Sequence, residues 1–247
     1  MPQVNLNGIV LKCYDLGEKD RILVLLTEQS GKMRVVAKGA KRPGSRFAAA
    51  ASPLMELSAN IHLGRNLHTL TQVEIITSHR ALWEQLDRLA FGLFMAELVD
   101  LATVEAEAQP EFCELLSHGL HELESSGQPE QLLSFFEVQL LDLSGLLPAL
   151  GHCANCQAED RPLVALSAAA GGLVCASCAH TPGVFGLSVA AVELLRYLAQ
   201  HSWEEYTEAG VWSAEAALTE ALEQFLFYQL EARPKSYEFL NSMRAVQ

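Results

Sequence analysis

Arg21-Ile22-Leu23-Val24-Leu25-Leu26-Thr27, the turn residues Gln29-Ser30-Gly31, and Lys32-Met33-Arg34-Val35-Val36-Ala37-Lys38 decide the fold. Two short runs rich in branched apolar residues, separated by a turn cluster, read as successive β-strands. The second run alternates, which sets Lys32 and Arg34 on one face. Working outward, residues 8–14 form an earlier strand, and residues 54–63 and 67–76 flank Gly64-Arg65-Asn66, a hairpin signal. Five short strands within residues 4–76 suit a small closed barrel better than a sandwich. An OB-fold is the first candidate and an SH3-like barrel the alternative.

Beyond Ser78 the apolar period becomes helical. Leu82, Leu86, Leu89, Leu93 and Ala96 recur at three- and four-residue steps, and Trp83, Phe94 and Leu98 occupy another face, the pattern of a buried helix. Pro110 interrupts it before a helix over 111–125, and Gly127 and Pro129 precede another over 130–143. Ser188 is placed to cap a helix running to Gln200, and Ser213 one running to Ala232, stopped by Pro234. The expected fold class is α+β and multidomain: an N-terminal five-stranded OB-fold barrel, then an all-α body with an inserted four-cysteine module. The expected boundaries are a barrel at 1–80, helices at 81–150 and 185–247, and the cysteine module at 151–184.

The chain has 247 residues and a mass of 27.0 kDa; 50% of its residues are hydrophobic and 19% charged, which excludes disorder for the whole. Residues 162–192 carry no Asp, Glu, Lys or Arg, but Gly171, Gly172, Cys175, Cys178, Pro182 and Gly183 interrupt them, so no membrane span is expected. Residues 1–7 lack a basic start followed by an apolar run, so no secretory leader is expected either. The net charge of −13 is unevenly spread. Residues 1–80 hold eleven Lys and Arg against six Asp and Glu, or +5, while residues 81–247 hold six against twenty-four, or −18. Such asymmetry reads as a polyanion-binding part joined to an acidic part, or as two solvated surfaces of opposite sign.

Cys153-Ala154-Asn155-Cys156 and Cys175-Ala176-Ser177-Cys178 are separated by eighteen residues. Two C-x-x-C turns at this spacing supply the four thiolates of a tetrahedral Zn²⁺ site. Four sulfurs close the shell and leave no position for water, so one structural zinc per chain is expected at Cys153, Cys156, Cys175 and Cys178. A redox C-x-x-C is the competing reading. Cys13 and Cys113 are unpaired and read as small buried hydrophobes.

The second cluster is basic: Lys32, Arg34, Lys38, Lys41, Arg42 and Arg46, the last four in or beside a segment with Gly39, Pro43, Gly44 and Ser45 that reads as a mobile loop. Only Tyr14 and Phe47 are aromatic in the first eighty residues, so these six residues are expected to grip the phosphate backbone of single- or double-stranded nucleic acid without reading bases. A solvated basic face is the bland alternative. There is no P-loop, no H-E-x-x-H, no deaminase signature and no G-x-S-x-G elbow, so no catalytic residue is nominated. His118 and His121 share a helical face at i, i+3, but the sequence sets no further ligand beside them and they read as surface histidines.

The ordered motifs resemble those of the bacterial RecO family of DNA-repair proteins. They are Gly8-Ile9-Val10-Leu11, Asp15-Leu16-Gly17-Glu18-Lys19-Asp20-Arg21, Leu26-Thr27 with Gly31, and Ala37-Lys38-Gly39-Ala40-Lys41-Arg42 with Ser45-Arg46. Phe136-Glu137, Leu140-Leu141, Gly145, Pro148 and Leu150 lead into the two C-x-x-C pairs, and Tyr228-Gln229-Leu230, Lys235-Ser236 and Phe239 complete the series. The acidic body departs from the family pattern. The resemblance implies a non-catalytic recombination mediator. It would bind single- and double-stranded DNA, anneal complementary strands and, with RecR, load RecA onto strands coated by single-stranded-DNA-binding protein. It further implies a cytoplasmic, nucleoid-associated protein with no membrane partner and no small-molecule substrate. The residues alone also allow a nucleic-acid-binding adaptor of the transcription or RNA-processing machinery.

Overall fold

Alternating apolar residues build five strands: β1 (Gln3–Leu16), β2 (Asp20–Thr27), β3 (Gly31–Ala37), β4 (Glu56–His62) and β5 (His68–Thr77). The structure, a computed structural model, describes residues 2–65, 67–180, 183–209 and 216–245. In β4, Leu57, Ala59 and Ile61 are buried while Glu56, Ser58, Asn60 and His62 are half-buried, so one face turns inward. The strands close as a barrel in the order β1-β2-β3-β5-β4, β4 returning to β1. All neighbours are antiparallel except β3 and β5, which meet in parallel at Val35 and Val36. This is an OB-type barrel.

β2 is apolar from Ile22 to Leu26 because both its faces are covered along that stretch. Leu23 and Leu25 join the barrel core, and Val24 and Leu26 are buried as well, with a helix packed over β1 and β2. Each such leucine contributes about 1.5–3 kcal/mol by leaving water. Gly31 turns β2 into β3 at φ +64°, and a Cβ there would sit 1.9 Å from the Glu107 carbonyl oxygen, so no other residue fits.

Three helices follow: α1 (Arg80–Trp83), α2 (Leu86–Ala102) and α3 (Pro110–Ser125). The continuous period read from Leu82 is broken, since Gln85 is extended at φ −132° and ψ 108° and Leu86 is 62% exposed. From Leu89 onward α2 is buried on several faces, packed by α1, α3 and β1. Next come α4 (Pro129–Leu143), β6 (Leu163–Ser167), β7 (Gly172–Cys175), β8 (Val184–Gly186), α5 (Val189–Leu198), α6 (Trp203–Ala209), α7 (Ala216–Gln229) and α8 (Ser236–Arg244).

The chain forms two compact units, residues 1–125 with 234–247 and residues 126–233. The helices divide between them: α1–α3 and α8 belong with the barrel, α4–α7 with the three-stranded sheet. The helix α8 follows Pro234, where the sequence pattern predicts only a stop. It packs on α2, and the backbone N–H and hydroxyl of Ser236 donate to Glu97 Oε2 at 2.8 and 2.6 Å. Ser188 caps α5, its Oγ accepting from the Ala191 N–H at 2.9 Å. The expected cap at Ser213, the hairpin tip Asn66 and Pro182 lie outside the described residues. No described helix is long and apolar enough to cross a membrane.

Candidate metal centre and nucleic-acid interface

In the second unit β7-β6-β8 form a small sheet, and Cys175 ends β7. Backbone bonds stitch it to the segment after α4: Leu173 N–H to Ala149 carbonyl at 2.9 Å, Ala149 N–H to Gly171 carbonyl at 3.0 Å, and Ala154 N–H to Leu173 carbonyl at 2.8 Å. Gly172 permits this approach, for a Cβ would lie 2.6 Å from the Ala149 backbone. The two cysteine turns are thereby brought together. Each is closed by its own backbone bond, Gln157 N–H to Cys153 carbonyl at 2.8 Å and Cys178 N–H to Cys175 carbonyl at 2.9 Å.

The four Sγ atoms lie within 4.8 Å of one another. Cys156 and Cys175 Sγ are 3.9 Å apart, close to the edge of about 3.8 Å for a tetrahedron with bonds of about 2.3 Å to the metal. Cys153 and Cys175 are buried, Cys178 is half-buried and Cys156 is exposed. Burial raises the Cys153 thiol, but N–H groups of Cys156, Cys175 and Asn155 outweigh it and bring it down to about 6. The Cys175 N–H donates to Cys153 Sγ at 3.4 Å. The Cys175 sulfur also accepts from Arg161, raising that guanidinium from its ordinary value and setting a cation beside the thiolates. This donor set fits one four-coordinate soft ion and leaves no ligand position open. Cys13 and Cys113 lie apart, both thiols pushed up to about 12 by burial.

The basic residues separate into two kinds. Lys32 points at α2: its Nζ donates to Asp100 Oδ1 at 3.1 Å, to the Asp100 carbonyl at 2.5 Å and to the Thr103 carbonyl at 2.8 Å, with 11% of the side chain exposed. Lys12 of β1 meets the same carboxylate. The Lys32 ammonium, on a residue the sequence assigns to the DNA-binding cluster, ties β3 to the C-terminal end of α2. Alternation put it on the Arg34 face, but that face is partly covered by α2 and residues 103–106. Arg34 is exposed and pairs with Glu105 at 2.8 Å, a solvated contact of little strength.

For the segment after β3 the sequence predicts a mobile loop. The segment is a succession of hydrogen-bonded turns: Arg42 N–H to Gly39 carbonyl at 3.0 Å, Ser45 N–H to Arg42 carbonyl at 3.1 Å, Ala48 N–H to Ser45 carbonyl at 3.1 Å and Ala51 N–H to Phe47 carbonyl at 2.9 Å. Ala40, Phe47, Ala50 and Ala51 enter the barrel core, so the segment plugs one end of the barrel. Lys38 and Arg42 are exposed and enter no ion pair among the described residues. Lys41 pairs with Asp15 at 2.6 Å. Lys41 and Arg21 hold the Asp15 carboxyl below its usual range. Arg46 donates to the Thr71 carbonyl at 2.8 Å, stacks over Phe47 at 4.7 Å and lines a polar hollow of about 430 Å³ with Asn5, Ser58, Asn60 and Gln72. Phe47 is buried, leaving Tyr14, 49% exposed, as the accessible aromatic of the barrel. Asp100 was missed; an acid inside the apolar run of α2 was the available signal.

Two family models match in sequence, Recombination protein O N terminal over residues 1–79 and Recombination protein O C terminal over residues 84–238. Their junction falls where the barrel ends and the helices begin. The chain is 35% identical to a DNA repair protein RecO of Symbiobacterium thermophilum, covering 100% of both chains. It is 34% identical to that of Desulforamulus reducens over 96% of this chain and 94% of the relative. It is 35% identical to that of Bacillus subtilis over 69% of this chain and 67% of the relative. Two family models that together cover most of the chain, and relatives 34–35% identical over nearly its whole length, lead to one conclusion: the chain belongs to the RecO family.

Proposed function

We propose that the protein is a recombination mediator of DNA repair. It binds single- and double-stranded DNA through the turn segment at the barrel end, anneals complementary strands and, with RecR, helps load RecA onto DNA coated by single-stranded-DNA-binding protein. As a member of a non-catalytic family it works by binding, in the cytoplasm at the nucleoid. The observation that carries this reading is the plugged barrel end, where Lys38, Lys41, Arg42 and Arg46 stand on a packed platform.

Two complementary strands repel through their phosphates. Cations that neutralise backbone oxygens lower that repulsion while leaving base edges free to pair. With Phe47 buried and Tyr14 the accessible ring, few bases would be withheld by stacking. Lys38 and Arg42 supply free charge, Lys41 charge shared with Asp15, and Arg34 and Arg46 its flanks. Lys32 acts through the fold. Residues 81–247, at −18, would repel DNA and limit wrapping. One zinc ion per chain, held by Cys153, Cys156, Cys175 and Cys178, stabilises the second unit and takes no part in DNA contact.

A strand-annealing assay tests the reading, run without nucleotide and then with RecR, RecA and single-stranded-DNA-binding protein. Annealing should need no ATP, weaken steeply with salt, and disappear when Lys38, Lys41 and Arg42 are all changed to Glu. A triple variant that anneals and loads recombinase as well as the parent would overturn it.

A further inference from the structure

Three elements of the first unit bring Glu56, His79 and His121 together: β4, the β5–α1 junction and α3. One ligand atom from each lies within 4.8 Å of the others. His79 is 1% exposed and adopts a left-handed backbone at φ 44°, uncommon for a residue with a side chain. Its ring stands edge-on to His121, centroids 5.2 Å apart at 84°. Both ring nitrogens face carboxylates: Nε2 is 3.1 Å from Glu56 Oε1, and Nδ1 is 3.2 Å from Glu124 Oε1.

A neutral imidazole has one N–H and one lone pair. Between two ionised carboxylates it can satisfy one, and the lone pair then faces the other. A proton shared with that carboxylate, on either partner, or a cation must bridge the second contact. A proton is one solution, and a metal ion is the other. The surroundings suit the ion. With its Nδ1–H given to Glu124, His79 would turn the Nε2 lone pair toward Glu56, the carboxylate–histidine–metal arrangement. Ser117 Oγ donates to Glu56 Oε1 at 2.7 Å and orients that carboxylate. His121 is exposed, which opens a path for an ion to enter.

We propose that Glu56, His79 and His121 form a second metal site, separate from the four cysteines, that takes a divalent transition ion and clips the barrel to α3. Two imidazoles and a carboxylate select Zn²⁺, Co²⁺ or Ni²⁺ over Mg²⁺ and Ca²⁺, which prefer all-oxygen shells. Three protein ligands leave a position for water. Glu124 and Ser117 are positioning residues.

The test is a Co²⁺ titration of the full chain with its four-cysteine centre already loaded with zinc, followed by visible absorption and calorimetry. One further equivalent should bind, giving weak d–d bands without new sulfur-to-metal charge transfer. Metal binding should raise the melting temperature. His121→Ala, exposed and so compatible with folding, should weaken binding at least about 10-fold, and Glu124→Gln by about 10- to 100-fold. Circular dichroism of both variants without cobalt should match the parent. No additional equivalent at millimolar cobalt would overturn the site. So would growth of thiolate charge-transfer bands, which reports exchange into the cysteine centre, or unchanged affinity in His121→Ala.

Discussion

Changing Lys32 to Met separates its two possible roles, since a DNA contact and a buried strut respond differently. In the structure its ammonium has three acceptors and 11% exposure, and Asp100 is 7% exposed. Removing one partner of a wholly buried pair costs about 3–5 kcal/mol, because the other charge is left uncompensated. Here Lys12 remains on Asp100, so the expected loss is smaller, about 2–4 kcal/mol once the two orphaned carbonyls are included. Lys12→Met should cost less than about 1 kcal/mol, since that side chain is 40% exposed and its pair is screened. Asp100→Asn, which abandons both lysines, should approach the full penalty. Urea unfolding gives the stability, and hydrogen exchange in β3 and α2 assigns the loss to the first unit. DNA binding is followed by fluorescence anisotropy from low to high salt. Lys32→Met should leave the slope of log affinity against log salt unchanged, while Lys38→Ala flattens it by about 0.7 for single strands and 0.9 for duplex. A Lys32→Met protein with normal urea stability and a slope flattened as much as by Lys38→Ala would refute the strut.

Replacing Lys38, Lys41 and Arg42 with Glu should weaken binding to all DNA sequences alike, flattening the salt slope by about 0.7–0.9 per lost phosphate contact. The same reversal at the exposed Arg233 and Lys235 should do little; equal losses from both sets would move the DNA path off the barrel. Asp15→Asn removes the carboxylate that holds Lys41 at 2.6 Å and should tighten DNA binding several-fold at low salt, with a steeper slope; weaker binding would mean that Asp15 positions Lys41 productively. Cys175→Ser should release zinc, read by elemental analysis, and lower the melting temperature, with DNA affinity falling only as far as folding does. After chelation at pH 8, an alkylating agent should label Cys153 ahead of Cys13 and Cys113, whose thiols burial pushes up to about 12; mass spectrometry showing either of the latter two modified first in folded protein would contradict that order.

Much of this molecule was legible in one dimension. Strand period, turn residues and the C-x-x-C spacing depend on neighbours a few residues apart, so barrel and cysteine cluster followed from the sequence. The opposite charges of the two parts of the chain are a matter of composition. What composition cannot hold is which distant group answers a given side chain. Lys32 and Lys38 are both lysines of one basic run, yet Asp100, 68 residues on, claims the first and leaves the second exposed. Gly39, Pro43, Gly44 and Ser45 read as a loose loop because local signals report backbone freedom; Phe47, Ala50 and Ala51 pack it only because the barrel has an open end to fill. His121 looked like a surface residue from the pattern of α3. Only the closure of the barrel against that helix brings Glu56 and His79 to it, because long-range burial, not local propensity, decides which polar groups must share a partner.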